Sequence, residues 1–539
     1  MRVLRTCAAL LALAATLSCT AARGAGDDGR PGDRRSGGPR RVAELGPYER
    51  LLPAPVSAQS GGPGYALTPG TVVRTPAGDG EVRRIGERLA EELRGPSGFP
   101  LPVVAGPGAG GAGGGIVLRL DRAADPAVLG EEGYRLESAP RAVTLTARTP
   151  AGLFHAVQTL RQLLPVPGTR AVVPGGRITD APRFAYRGAM LDIARHFFTV
   201  EQVERYVDQL AQYKINTLHL HLTDDQGWRL DIPSWPRLAA YGGASEVGGG
   251  PGGSWSREDY RRLVAYAAER YVEVVPEIDM PGHTHAALAS YAELNCDGRA
   301  PARYTGTKVG FSSLCVAKER TYAFVDDVLR EVAALTPGRY LHIGGDEAHA
   351  TSAADYAAFM DRAQKLVARY GKTVVAWHQL STARPAPGAV LQYWGHDRTP
   401  AADKTRLAEA ARTGHRLILS PADHAYLDMK YDTTTKPGLS WAGYVPVPRA
   451  YSWDPGRYLP DVPESAVLGI ESALWTETVA TVPDLEHLAF PRALSLAELA
   501  WSPATALDWP THRLRLAAQG PRLTARGIAF HRAPEVPWE

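Results

Sequence analysis

Long apolar runs are nearly missing from this chain. The segment Ala8–Leu17 is too short to cross a bilayer, and no later stretch reaches the ~18 uninterrupted apolar residues of a membrane-spanning helix. Cysteine is scarce: there are four in 539 residues, and Cys7 and Cys19 fall near the N-terminus. Paired CxxC ligands for zinc are therefore excluded. An excess of one charge is also lacking. Sixty basic residues face 57 acidic ones, a net charge of +3, and no arginine stripe is interleaved with aromatics. Nucleic acid is excluded as a partner on that ground. Lysine supplies only 8 of the 60 basic residues, which reads as a coding bias toward arginine rather than a basic binding face. What remains is an ordinary globular composition, 44% hydrophobic and 22% charged, on a chain long enough for more than one domain.

Residues 1–22 read as an export signal, with Arg2 and Arg5 ahead of the apolar run. Two modes of cleavage stand open. Thr16-Leu17-Ser18-Cys19 resembles a bacterial lipoprotein box, apart from Thr three residues before the cysteine, and would make Cys19 a lipid anchor. Cleavage near Ala21 or Ala22 would instead release a soluble protein. Either way the expected location is outside the cytoplasm, secreted or as a cell-surface lipoprotein. In that oxidising setting Cys296 and Cys315 are expected to pair, and closing a loop of about 20 residues contributes roughly 3 kcal/mol. Residues 23–45, rich in Gly, Arg, Asp and Pro, read as a disordered tether.

Residues 46–181 show short strands at Val103–Ala105, Ile116–Leu120 and Ala142–Ala147 and amphipathic helices at Glu81–Leu93 and Ala151–Leu164. They predict a small α/β domain with a supporting role. From 182 to 539, apolar strands alternate with amphipathic helices. Eight strands are expected: Gly188–Ile193, Thr217–Leu222, Val272–Ile278, Leu341–Gly345, Val374–Trp377, Val390–Tyr393, Leu417–Leu419 and Glu471–Leu474. Helices are expected at about Val200–Tyr213, Arg257–Glu269, Tyr322–Leu335, Ala353–Tyr370, Ala402–Thr413 and Leu485–Leu499, with a further C-terminal helix. Eight strands in about 320 residues favour a closed (β/α)8 TIM barrel over an open sheet, and place the chemistry at the C-terminal strand ends.

Acids and tryptophans recur there. The strand ends carry Asp192 and Arg195, then Asp224 and Asp225, then Glu277, Asp279 and His283, then Asp346 and Glu347, and finally Trp377, Trp394, and Trp475 with Glu477. One such carboxylate is usually a solvated loop residue, and one such tryptophan is usually core. Agreement among seven strand ends points to a polar ligand with apolar faces, which is the character of a sugar. Cleaving a glycosidic bond needs a proton donor and stabilisation of an oxocarbenium-like transition state. Glu347 is the candidate acid, and Asp346 beside it is expected to oppose its ionisation. Adjacent strand residues point to opposite faces, so both reach one site only if the strand breaks, and Gly344 and Gly345 allow that.

HIGGDE, preceded by RGAMLDIARHFF, HLHLTDDQGW and PEIDMPGHT and followed by ALWTE, resembles the β-N-acetylhexosaminidases of glycoside hydrolase family 20, in order from about Phe184 to Trp501. The segment before it resembles the small α/β domain that often precedes that barrel. The resemblance implies substrate-assisted catalysis, in which the sugar's 2-acetamido carbonyl attacks its own anomeric carbon and an oxazolinium forms. It implies Glu347 as general acid and then base, and Asp346 orienting the acetamido N–H. Tyr426 would bond the acetamido oxygen, and Trp377, Trp394 and Trp475 would wall the pocket. Arg195, Asp428 and Glu477 would hold sugar hydroxyls, with Asp224 and His283 supporting the acid. No cofactor or metal is implied, and the partners would be N-acetylated amino-sugar glycans, either chitooligosaccharides or glycoconjugates.

Two rival classes remain at this level. His219 and His221 share a face of one strand and, with His283 and His285, form the candidate ligand set of a metal-dependent hydrolase. A carbohydrate-binding protein on a degenerate barrel is the other, since fold does not fix function. The loops 240–254 and 295–314 are the expected determinants of which glycan is taken.

Overall fold

The computed structural model describes residues 40–106, 114–164 and 171–538. The expected export signal (1–22), with Cys19, and the expected tether up to residue 39 lie outside the described residues. Residues 42–45 do not belong to a disordered tether. Val42–Glu44 forms a 3-10 turn, and Val42 and Leu45 are buried in the core. Two apolar side chains three residues apart give that turn a face to bury, which the surrounding Gly- and Arg-rich composition masked.

The N-terminal domain is built on a seven-stranded mixed sheet in the order Ser57–Ser60, Gly176–Asp180, Tyr134–Ala139, Ala142–Ala147, Gly115–Leu120, Val73–Thr75, Val103–Ala105. The first three pairings are antiparallel and the rest parallel. Helices Gly80–Ser97 and Pro150–Leu163 pack on it. The first is capped by the Asp79 side chain, which accepts the Val82 N–H at 3.0 Å, and it ends at Gly98 in the left-handed region. Val82, Ile85, Leu89 and Leu93, at three- and four-residue spacing, form its buried stripe. Four of the seven strands are not evident in the sequence. Tyr134–Ala139 alternates in burial, but its third inward residue is Ser138, so only two apolar positions signal it.

Eight parallel strands close the barrel: β1 (Tyr186–Asp192), β2 (Thr217–His221), β3 (Glu273–Glu277), β4 (Tyr340–His342), β5 (Thr373–Trp377), β6 (Val390–Tyr393), β7 (Arg416–Leu419) and β8 (Val467–Leu474), with β8 pairing back to β1. Every residue of β1, β2 and β8 is buried, as expected of parallel strands covered by helices on one side and filled by side chains on the other. The alternation of strand and helix is irregular in two places. Only the 3-10 segment His378–Thr382 separates β5 from β6. Between β7 and β8 a long excursion carries the short helices Ala422–Ala425 and Val447–Tyr451. The helix expected over Leu485–Leu499 is two, Val482–Ala489 and Arg492–Trp501, because Pro491 offers no N–H to the preceding turn.

A buried polar cluster ties the small domain to the barrel. Lys214 donates to Asp180 at 3.0 Å and to the Tyr134 hydroxyl at 2.9 Å, and the Trp501 indole also donates to Asp180. From β1, Arg187 pairs with Glu132 at 2.6 Å. The expected disulfide is present between Cys296 and Cys315, with Cα atoms 4.9 Å apart, and it closes the loop after β3. No described helix is long and apolar enough to cross a membrane.

Candidate active site

Strand β4 stops at His342, three residues earlier than expected, and the chain turns sharply. Gly344 and Gly345 sit at φ of 61° and 98°, and Glu347 follows at 42°. A Cβ on Gly344 would lie 1.6 Å from Asp279 Oδ1, so glycine is required there on two counts. Its neighbour's N–H donates to that same Asp279 oxygen at 3.0 Å. This break brings Asp346 and Glu347 to one site. Glu347 and His283 are both non-glycine residues in the left-handed region, the kind of local strain that collects where geometry serves function.

The two acids occupy different environments. Asp346 is only 7% exposed, and its Oδ1 has no hydrogen-bond partner. Burial, with the charges of Glu347 and Glu277, pushes its carboxyl up to about 6, against the lowering effect of His283. The Glu347 side chain is 29% exposed, with Oε2 3.4 Å from His283 Nε2. Behind that ring, His283 Nδ1 lies 3.2 Å from Asp224 Oδ1. Burial alone would raise Asp224, but Arg195, 2.9 Å away, and then His283 and His221 overcome it and hold it well below the usual carboxylate range. Burial would likewise lower His283, yet Asp224 and Asp346 keep it well above an ordinary imidazole.

The aromatic walls converge on the same place. Trp377 ends β5, fully buried, its indole donating to Glu277 at 2.8 Å. Trp475, after β8, lies 5.8 Å from it between ring centroids and 6.1 Å from Tyr426. Trp394 is anchored by donating to Gln379 at 3.0 Å. Trp377, Tyr426 and Trp475 belong to one buried cluster, with Trp394 packed against it. Arg195 lies over the Trp475 ring at 4.9 Å and is oriented by Asp192 and Asp224. Asp428 is buried and Glu477 partly so, and each is raised, by desolvation first; the Glu477 charge adds to the rise of Asp428. One oxygen of each, and the Trp475 indole N–H, lack partners. Unpaired buried polar atoms of both kinds on an apolar wall are what a polyhydroxylated ligand would satisfy.

Two contributors escaped the sequence reading. Arg492, fully buried, donates to the backbone carbonyls of Met429 at 2.6 Å, Val445 at 2.9 Å and Leu427, and so pins the excursion that carries Tyr426 and Asp428. Trp441, 42% exposed on that excursion, stands edge-on to Tyr426 at 5.9 Å and to Trp394 at 6.0 Å. No strand-end pattern marks either one.

The four histidines do not come together as one ligand set: among the described residues His219, His221 and His283 fall in separate clusters with acids, and His285 is in none of them. Both nitrogens of His219 face carboxylates, Glu471 at 2.9 Å and Glu277 at 3.0 Å. Those of His221 face Glu277 and Asp224, each at 2.6 Å. Against the lowering effect of burial, these acids push His219 up to about 9 and His221 higher than an ordinary imidazole. His285 is elsewhere, its Nε2 2.7 Å from the Ala302 carbonyl. A separate cleft of about 820 Å³ lies between the Gly80–Ser97 helix and the barrel, and several of its charges are paired with one another: Arg161 with Glu92, Arg88 with Glu269 and Arg270 with Asp208.

A (β/α)8 barrel whose strand ends gather paired carboxylates, an arginine and a cluster of indoles has the groups that a glycoside hydrolase needs. Comparison with known proteins agrees. The glycosyl hydrolase family 20 catalytic domain matches residues 184–358 and 349–504, and that family's domain 2 matches residues 48–181. The β-N-acetylhexosaminidase of Cellulomonas fimi is 40% identical over 494 residues, covering 91% of this chain and 98% of its own. The solved family 20 β-N-acetylhexosaminidase from Streptomyces coelicolor A3(2) superposes with a TM-score of 0.88 at 58% identity, covering 92% of this chain and 99% of its own. A Streptomyces plicatus β-hexosaminidase solved with the product N-acetylglucosamine gives the same TM-score at 59% identity, over 92% and 98% of the two chains. The chain belongs to glycoside hydrolase family 20, and its enzyme class is that of the β-N-acetylhexosaminidases.

Proposed function

We propose that the enzyme is a retaining exo-glycosidase that releases terminal β-linked N-acetylglucosamine or N-acetylgalactosamine, with the substrate's own acetamido oxygen as nucleophile. The observation that carries this reading is the unequal burial of the two acids. Asp346, buried with a free oxygen and close enough to Tyr426 to act on its hydroxyl, suits an acetamido N–H. Glu347, more exposed and backed by His283, suits the glycosidic oxygen.

Glu347 gives its proton to the leaving oxygen as the acetamido carbonyl oxygen bonds to the anomeric carbon and the glycosidic C–O bond breaks. Positive charge spreads over the resulting oxazolinium, and the Asp346 carboxylate accepts its N–H and offsets that charge. Water then attacks the anomeric carbon from the vacated face, Glu347 takes its proton, and the ring opens with configuration retained. A well-oriented internal nucleophile has an effective molarity that reaches about 10⁵–10⁸ M, so the protein's task is orientation, desolvation and one proton. Arg195, Asp428 and Glu477 suit the hydroxyls of the sugar that the indoles enclose.

Chromogenic β-glycosides of N-acetylglucosamine, N-acetylgalactosamine and glucose test the reading. The first two are cleaved and the third is inert, because glucose has no internal nucleophile. Comparable cleavage of the glucoside would refute it. Natural substrates are N-acetylated amino-sugar glycans met outside the cytoplasm. The N-terminal pattern and the Cys296–Cys315 bridge support that location, and radiolabelled palmitate would separate a lipid anchor at Cys19 from a free secreted form.

A further inference from the structure

Glu277, the last residue of β3, is fully buried. Its two oxygens serve different parts of the site. Oε1 accepts the Trp377 indole N–H at 2.8 Å, with His342 Nδ1 3.0 Å away. Oε2 faces His221 Nδ1 at 2.6 Å and His219 Nε2 at 3.0 Å. From His221 the contacts run on to Asp224 at 2.6 Å, to His283 at 3.2 Å and to Glu347 at 3.4 Å. On the other side, His219 reaches Glu471, which also accepts from Gln392 at 2.6 Å and from Tyr186. One carboxylate therefore stands where the support of the pocket wall meets the support of the acid.

We propose that Glu277 is a positioning residue for the hydrolysis. One oxygen sets the plane of the Trp377 wall, and the other roots the His221–Asp224–His283 row that ends on Glu347, so that acetamido pocket and proton donor are held in one register. The proposal rests on the reading of Glu347 as the acid and Trp377 as a wall. An amide cannot do both jobs. The indole N–H only donates, so a glutamine must turn its oxygen to Trp377 and its NH₂ to His219 and His221, which then lose their acceptor.

Glu277→Gln in the whole enzyme tests this, with aryl N-acetyl-β-glucosaminides of graded leaving-group pKa, N-acetylglucosamine as competitive inhibitor, and thermal unfolding. The expected result is a kcat/KM loss of up to about 100-fold for the poorest leaving group, smaller for the best, with weaker binding of the product. A folded variant that matches wild type within about twofold in turnover, leaving-group dependence and product affinity overturns the proposal and leaves Glu277 a structural ion pair. If Glu277→Gln does not fold, His221→Gln breaks the row between Glu277 and Asp224 and leaves the Oε1 contact with Trp377 in place. It must steepen the leaving-group dependence, and an unchanged dependence overturns the proposal. Wild type and Glu347→Gln run in the same series keep the two ideas apart. Inactive wild type, or a flat response to Glu347→Gln, removes the functional reading itself.

Discussion

His283 Nε2 lies 3.4 Å from Glu347 Oε2, and both residues hold a positive φ, 55° and 42°. Two neighbouring loops each accept backbone strain to bring a cationic ring against the more exposed of two carboxyls. A strained pair of this kind persists only where the surroundings over-determine it, and here Asp224 and the Gly344–Gly345 turn do so.

Replacing Glu347 with glutamine removes the proton but keeps the shape. Turnover of alkyl or sugar leaving groups should fall by about 10²–10⁴-fold, and that of dinitrophenyl glycosides, whose departure needs no proton, far less. Rates measured across a leaving-group series check this. Equal losses across the series would deny Glu347 the acid role.

Asp346→Asn should slow acetamido attack while making the folded protein more stable at neutral pH. The Asp346 carboxyl is raised from 3.8 to about 6, so the folded state binds its proton more tightly than the unfolded chain does. Stability therefore falls as pH rises from about 4 through 6, and above that window the ionised, buried carboxylate costs up to about 3 kcal/mol. The asparagine escapes that cost, so its advantage should be full at pH 7 and absent below about pH 4. Denaturation at the two pH values measures it, and kcat/KM of the wild type should decline as pH drops through about 6. Identical stability of both proteins at pH 7 would contradict the assignment.

The barrel was readable because its strands are almost wholly buried and mostly apolar, bounded by glycines, prolines and acids. Each expected strand overlaps an observed one, and their ends lead to Asp346, Glu347 and the indoles. The small domain was less readable because its unseen strands are either very short, as Val73–Thr75, or poor in apolar inward positions, as Tyr134–Ala139. Arg492 was opaque for a different reason. In PRALSLAEL it reads as a helix-surface charge, and its burial comes from carbonyls contributed by residues more than forty positions away. Trp441 lies on an excursion with no strand beside it, so nothing local distinguishes it from a chance surface aromatic.

Arg492 yields a prediction that separates shape from charge. Its guanidinium fork meets several loop carbonyls at once, a geometry that the single ammonium of lysine cannot copy. Arg492→Lys should therefore lower the melting temperature and weaken product binding through misplaced Tyr426 and Asp428, although the charge is kept. Each carbonyl left unpaired costs about 1–3 kcal/mol. Wild-type melting and product affinity in the lysine variant would show that the excursion holds itself.

Trp441 should matter only for what lies beyond the enclosed sugar. Its ring is exposed and stands edge-on to Trp394 and Tyr426 at the margin of the buried cluster, so it can cover the face of a second sugar without touching the first. Trp441→Ala should leave the melting temperature nearly unchanged, since exposed substitutions usually fall within about 0.5 kcal/mol. The affinity for N-acetylglucosamine should also hold, while kcat/KM on chitooligosaccharides drops by about tenfold, because stacking of this size is worth roughly 1 kcal/mol or somewhat more. Isothermal titration with the monosaccharide and rates on the di- and trisaccharide make the comparison. If the monosaccharide loses as much as the oligomers, the ring belongs to the inner pocket, and the boundary drawn between Trp475 and Trp441 is misplaced.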